Sequence, residues 1–487
     1  MRKIAPILIL LSIIISTFSC RKDSIETSES VTLNFSLDTV LFDTVFATFG
    51  STTKRLKIYN PSNKRVNISS ISVGNGANSQ FRINVDGISG NSHSNIEIDG
   101  KDSLFIFAEV TIDPNNALSP FVATDKINFI TNGNSQSVDL VAWGQNAHYY
   151  VANQLANGIP VVYLDRGTSP GPLDSTWIND KPYVIYGGYL TLDSDDKLKI
   201  DPGVKVHMHN NSGIWVYENG NIQVNGTQTD PVVFQGTRLE YAWQDIPGQW
   251  DRIWINQGTI GNDNVFNYAV IKNGFIGIQA ETNPFNAPAI FDASSTNALR
   301  LNNCKIHNNS AIGILATNYK ITDTNSVITN SGQYNLLVKG GGDYRFNHTT
   351  FANYFSGRQT SSVLLQNAYV HSTGVTVIND IDTALFSNCI IHGDQDVEFT
   401  ADAIGSGTIK YFLDHCLLKT TNSTAGVRYN NIVLNPANET FVDKSIHDYH
   451  LAPSSQAINA GNNTLGVLLD HDGVTRNNPP DIGAYEN

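Results

Sequence analysis

Six segments of the sequence superpose on one small residue: Ala269, Cys304, Ser326, Thr349, Cys389 and Cys416. Three positions earlier stand Phe266, Leu301, Asp323, Phe346, Phe386 and Leu413, and two positions later Ile271, Ile306, Ile328, Phe351, Ile391 and Leu418. Tyr268, Asn303, Asn325, His348, Asn388 and His415 come immediately before it. A fixed internal period marks a stack of repeats rather than one closed layer. Residues two apart share a strand face, so the small and the bulky column both point inward. In coils about 4.8 Å apart, equivalent side chains stack in rows. A tight inner corner needs the small row, the middle of the lumen needs the bulky one, and Asn at a turn accepts left-handed backbone angles. The spacings are 35, 22, 23, 40 and 27 residues. The shorter ones are single coils. The longer two hold an extra coil or an inserted loop, with Asn353 to Asp382 the best place for an insertion.

The repeat also accounts for three cysteines. Cys304, Cys389 and Cys416 share the small inward column, so they are expected to be reduced and space-filling. Stacked parallel side chains rarely meet the dihedral angle a disulfide needs.

Upstream the grammar differs. Val31–Phe35, Arg55–Tyr59, Leu104–Val110 and Val138–Ala142 alternate in polarity, and turn clusters such as Asn60-Pro61-Ser62-Asn63 separate them. Short strands at this spacing predict a β-sandwich. The Asn-Pro turn after the first strands and the late run Val141-Ala142-Trp143-Gly144 resemble immunoglobulin-like domains of the ASPM/SPD-2/Hydin type, which implies a spacer or protein-binding module. Residues 150–183, rich in Gly and Pro, read as a connector. The runs Leu198–Val206, Gly220–Thr227 and Asp230–Phe234 then resemble the first coils of bacterial surface β-helices of the pectate-lyase-like group. At the other end, Tyr449-His450-Leu451, Asp470-His471-Asp472-Gly473 with Arg476, and Asp481-Ile482-Gly483-Ala484-Tyr485-Glu486 resemble the closing segment of Bacteroidota right-handed β-helix proteins. The resemblance implies a segment that covers the open end, where a bare last coil would expose unpaired backbone groups. The expected fold is therefore all-β, an N-terminal Ig-like sandwich followed by a right-handed parallel β-helix with a C-terminal cap.

The first residues set the compartment. Arg2 and Lys3 precede an apolar run from Ile4 to Ile15 that is too short for a permanent span but suits a signal peptide. Ser16-Thr17-Phe18-Ser19-Cys20 resembles the lipobox of Bacteroidota lipoproteins, which implies acylation of Cys20. Arg21 stands where an inner-membrane retention signal has Asp, and Lys22-Asp23 with Glu26 resembles their surface-export tag, which implies an outer-membrane, surface-exposed location. Such anchoring takes two or more acyl chains. The domain reading is signal peptide 1–19, tether 20–28, sandwich 29–149, connector 150–183, β-helix 184–435 and capping segment 436–487. The formal charge of −13 becomes −15 once Arg2 and Lys3 leave. Summed over the chain, that balance repels phosphate backbones and anionic lipid head groups, and it speaks against nucleic acid as a partner.

No catalytic constellation stands out, and no cofactor is required. Asp394, Asp396 and Glu398 alternate. On a strand they would share one outward face and offer oxygen ligands to Ca²⁺. Arg345 or Arg358 in the preceding coils could then act as base of a lyase. Asp380 and Asp382 are a second pair, at a spacing compatible with glycoside hydrolysis. His307 and His392 share a column that also holds Lys272, Thr329, Ala352 and Lys419, which reads as a solvent row. Trp177, Trp215, Trp243, Trp250 and Trp254 crowd one stretch with Tyr217 and Tyr241. At least one of Trp250 and Trp254, flanked by Ile253 and Ile255, is expected in the core. Trp243, in a loop-like run, is the better contact residue, because exposed rings stack on sugars or anchor protein partners. Two readings stay open. One is a non-enzymatic surface lipoprotein binding glycan or an outer-membrane partner. The other is a lyase or glycosidase acting on an acidic polysaccharide.

Overall fold

The computed structural model describes residues 24–114, 121–165, 173–193, 195–282, 285 and 293–487. The signal segment, Cys20 and the centre of the expected connector lie outside the described residues. The chain divides into two compact units, 1–146 and 147–487.

The first unit is a β-sandwich of two five-stranded sheets. One orders Asn34–Phe35, Lys54–Tyr59, Ser103–Val110, Phe81–Val85 and Ile88–Ser89; the other orders Thr39–Phe46, Asn134–Gln145, Phe121–Thr131, Val66–Val73 and Ser92–Ile98. Alternation turns Leu56, Ile58, Ile83, Ile106 and Ala108 inward to meet Val40, Ile71, Phe129 and Leu140 in one apolar core.

The second unit is a parallel β-helix with three strands per coil. Tyr189–Leu192, Lys197–Ile200 and Lys205–Met208 form one coil and Gly213–Val216, Asn221–Asn225 and Val232–Gly236 the next, each strand pairing in parallel with its counterpart. Repetition builds an eleven-stranded sheet on one side. Two further faces merge where Ile312–Thr324 and Tyr334–Asn347 run unbroken around the corner between them.

The expected columns line the lumen. The small row is fully buried at Ala269, Cys304, Ser326, Thr349, Cys389 and Cys416. The residue before it takes a left-handed conformation in all six coils, with φ of 44° at Tyr268, 51° at Asn303 and 53° at His348. This sharp corner explains the small row, since the chain reverses too tightly to leave room for a larger inward side chain. The three thiols are free and buried. Each donates to a carbonyl one coil back: Cys304 to Phe266, Cys389 to Phe346 and Cys416 to Phe386, all at 3.3 Å. Asp323 stands in an otherwise apolar column, fully buried, with the Ser326 and Thr349 hydroxyls donating to its two carboxyl oxygens. The long spacings are single coils with insertions, because Ala269–Lys272 pairs directly with Lys305–His307 and Thr350–Asn353 with Ile390–Gly393. The second insertion carries the hairpin Ala368–Val370 with Thr376–Ile378, inside the stretch expected for it.

Two expectations about the ends need correction. The connector is not a separate linker: His148–Val151 pairs with Tyr183–Tyr186, and Asp174–Trp177 with Lys197–Ile200, so its described parts are rungs of the coil stack. Its Gly and Pro residues concealed strands only three to five residues long. The C-terminal segment lies along the side of the stack. Phe441, Tyr449, Leu451, Ile482, Ala484 and Tyr485 pack on the outward residues Val327, Ala352, Ile390 and Leu417 of the eleven-stranded sheet. Its polar contacts step from coil to coil: Gln228 to the Asp472 carbonyl, Asn325 to the Leu469 carbonyl at 2.8 Å, Thr350 Oγ1 to Ala484 N at 3.0 Å, and Asn388 to the Asn462 carbonyl at 2.9 Å. The outward row is apolar, and covering it removes its hydrocarbon from water.

Candidate ligand-binding face

The acidic residues expected to carry chemistry do not assemble. The strand Ile390–Gly393 ends before Asp394, and the next begins at Phe399, so Asp394, Asp396 and Glu398 share no strand face. Asp394 and Asp396 are exposed, whereas Glu398 turns inside. There it meets Arg358 Nη2 at 2.7 Å and accepts from Ser362 N at 2.8 Å and Gln395 N at 2.8 Å. Arg358 also donates to the carbonyls of Asn353 and Thr360. This is a buried structural ion pair, with the base and its acid neutralising one another. Arg345, the exposed residue of an otherwise largely buried strand, stands elsewhere, 3.0 Å from Asp343. Among the described residues no group of three or more His, Cys, Asp and Glu is placed to hold a metal ion. The Ca²⁺ ligand set expected from the alternation is therefore not formed.

Asp380 and Asp382 are both exposed and separately engaged. Asp380 accepts from Thr408 N at 2.6 Å and Asp382 sits 3.4 Å from Lys410. The His307 column is not a solvent row. Thr329 and Ala352 separate His307 from His392 in register, and the C-terminal segment lies over them. His392 Nδ1 is 2.7 Å from the Tyr354 hydroxyl and the His307 ring lies 5.9 Å from that of His447. Burial pushes their pKa values down, to about 3 for His307 and about 4 for His392. Trp243 belongs to a short 3-10 turn, and the Arg238 guanidinium lies 3.7 Å from its ring centroid.

What the structure does assemble is a row on the outer face of the long sheet. Tyr163, Thr191, Trp215, Trp254, Gln279, Leu315, Leu337, Leu364 and Thr400 stand in register over successive coils. At its aromatic end Trp215 and Trp254 stack with centroids 4.8 Å apart and planes 10° apart. Tyr189, Tyr217 and Phe285 close around them at 6.5, 5.2 and 5.6 Å from Trp215. Trp215 is buried by this company, Trp254 is half-buried, and Phe285 is 40% exposed. Trp250, the other member of the sequence pair, fills the lumen instead and donates to the Lys272 carbonyl at 2.8 Å.

A polar chain borders the rings. The Tyr189 hydroxyl donates to Asp251, Arg252 Nη2 lies 2.9 Å from Asp251 Oδ1, and Arg252 Nη1 donates to Gln279. Gln279 in turn donates to Glu281 at 2.7 Å, which also accepts from Trp254 Nε1 at 2.5 Å. Trp215 Nε1 donates to Asn256 at 2.7 Å. Burial raises the Glu281 pKa, against its hydrogen bonds to Trp254 and Gln279 and the nearby Arg252. One residue beyond Tyr217 and Asn256 begins a cavity of about 590 Å³ lined by Glu218, Asn219, Gln257, Gly258, Thr259, Ile260 and Thr296. Apolar ring surface beside amide and carboxylate groups in fixed positions matches the two-sided chemistry of a sugar, with its C–H faces and hydroxyl edges. The sequence signal for this face was the Trp cluster itself. Which of its members point outward depends on register.

No family model matches the sequence, and no curated protein does. Among solved structures the chain is similar to a family 123 glycoside hydrolase from Clostridium perfringens, described for glycolipid glycan hydrolysis. That match has 10% identity over 24% of this chain and 30% of the other, with a TM-score of 0.17. A protein of unknown function from Porphyromonas gingivalis W83 matches at 13% identity over 30% of this chain and 59% of that one, also at 0.17. The chain thus spans under two thirds of either structure, and likenesses at these scores carry no argument about function.

Proposed function

We propose that the protein is a lipid-anchored, surface-exposed outer-membrane protein whose β-helix is a non-enzymatic binding module for glycan. The anchor rests on Arg2, Lys3, the apolar run to Ile15 and Cys20. The immunoglobulin-like sandwich is its spacer. The observation that carries the binding role is the half-buried Trp254 ring, held between Trp215, Phe285 and the Gln279–Glu281 pair beside an open cavity. The carboxylates along this face, Asp251, Glu281 and Glu218, disfavour polyanions and point to an uncharged saccharide. Titrating neutral oligosaccharides into the protein while following tryptophan fluorescence tests this. Trp254→Ala is expected to weaken binding at least tenfold, because a ring stacked at a binding centre contributes about 2 kcal/mol or more. Binding of acidic oligosaccharides only, or release of reducing ends or unsaturated uronates, would instead support the enzymatic reading.

A further inference from the structure

The sandwich presents a second aromatic face, and it is cationic. On the sheet that begins with Asn34–Phe35, Leu56, Ile58 and Ile106 go to the core, so Arg55, Lys57, Tyr59, Phe105, Phe107 and Arg82 face outward. Register sets Lys57 opposite Phe105, Arg55 opposite Phe107 and Arg82 opposite Glu109. The Arg55 guanidinium lies 5.1 Å and the Lys57 ammonium 5.2 Å from the Phe105 centroid. Tyr59, Phe105 and Phe107 remain 38%, 37% and 40% exposed.

Ion pairing separates this face from the rest of the sandwich. Lys54 pairs with Asp43, Lys64 with Glu26, Arg65 with Glu97 and Asp99, and Lys126 with Asp139. Among the described residues Arg55, Lys57 and Arg82 make no ion pair, and Glu109, the carboxylate at the end of the face, accepts from Thr53 at 2.6 Å. Unpaired cations whose stems lie along exposed rings on one sheet face fit an anionic interface that accepts ring edges between charged heads. Glu26, which bridges to Val66 and pairs with Lys64 of the sandwich, stands six residues after Cys20, a length that spans at most about 22 Å.

We infer that this face docks on a surface of anionic lipid head groups and lays the sandwich against the membrane. Its cellular setting rests on the reading of Cys20 as the lipid anchor, but its chemistry does not. The test therefore uses protein lacking residues 1–20, which carries no lipid, and sediments it with vesicles of phosphatidylglycerol mixed into phosphatidylcholine. The expected result is co-sedimentation that grows with the anionic fraction, disappears at high salt and is absent for phosphatidylcholine alone. Each cation should contribute about fivefold to partitioning, so Arg55→Gln with Lys57→Gln and Arg82→Gln should cost roughly 100-fold. Phe105→Ser with Phe107→Ser should also weaken binding, and an unchanged melting profile would show that these exposed changes left the fold intact. No vesicle binding, binding indifferent to lipid charge, or a triple variant that binds like the parent would overturn the inference, as would capture by an acidic polysaccharide without capture by vesicles. Mass spectrometry of the full chain from its host reports on Cys20 separately.

Discussion

The two units bury their interiors under different rules. In the sandwich the buried polar residues are Asn60, Ser79, His93, Thr131 and Asn146, and among the described residues it buries no Asp, Glu, Lys or Arg. The β-helix unit buries Asp323, Arg358, Glu398, Asp470, Asp481 and Glu486 as well as His207, His348 and His471. The cause lies in construction. Two sheets facing one another enclose a single apolar layer, and polar groups leave through the outer faces. A coil stack has three inward faces, corners in which the backbone turns, and a tail fastened to its flank. Each of these encloses polar atoms that need internal partners. Charge follows the same division: residues 147–487 hold 19 Lys and Arg against 31 Asp and Glu, while residues 1–146 hold 12 against 13. Stability of the helix should therefore depend on pH and on single charged partners, and that of the sandwich should not.

Acid gives the largest test. Burial pushes His207, His392 and His471 down to about 4, and His307 and His348 to about 3. Groups with depressed folded values stabilise fully above pH 6.5, and that stability is lost as pH falls toward 4. Each should lose about 2 kcal/mol by pH 5. The sandwich sequence holds one histidine, His93. Calorimetry between pH 7 and pH 5 should show the helix transition moving down steeply while the sandwich transition barely moves. Transitions that shift together would break the contrast.

Next in size is Arg358→Met, which leaves Glu398 buried without its guanidinium and should cost about 3–5 kcal/mol. Pairing it with Glu398→Gln, which removes the buried charge but can accept from only one of Ser362 N and Gln395 N, should recover part of the loss. Urea unfolding in a Trp143→Phe background isolates the effect, because the other five tryptophans lie in the helix unit. Asp323 has the opposite pH sign. Its carboxyl is raised to about 7 by burial, so it stabilises below about pH 4 and loses that contribution as pH rises through 7. Asp323→Asn should make the helix more stable by about 4 kcal/mol at pH 8, with no gain at pH 4. The smallest effect belongs to the corner row. Asn303→Ala should cost about 1 kcal/mol for its left-handed φ of 51°, and Asn303→Gly should not.

The coil stack was legible in the sequence because parallel stacking gives equivalent positions equivalent surroundings, so a small row and a bulky row survive in a single chain. The aromatic outer face was not, because inward and outward depend on register. Trp250 and Trp254 are four apart, a spacing that puts both on one side of an unbroken strand. Trp250 forms only an isolated bridge with Gly274, before the strand Ile253–Asn256 begins, and between them the side reverses. Asp394 to Glu398 misled for the same reason: alternation in sequence carries meaning only where a strand exists. The closing motif was recognisable by its residues, yet its position on the flank follows from the apolar outward row it covers.

That flank segment has a consequence for assembly. A stack in which each repeat touches only its neighbours can grow from one end and fray from the other. Here Asp472 reaches Gln228 and Ala484 reaches Thr350, so residues synthesised after the stack rivet coils that were completed long before. Until they arrive, the stack is an unfastened spring whose coils can open one by one. Once they are seated, opening any of the bridged coils requires lifting the tail from all of them.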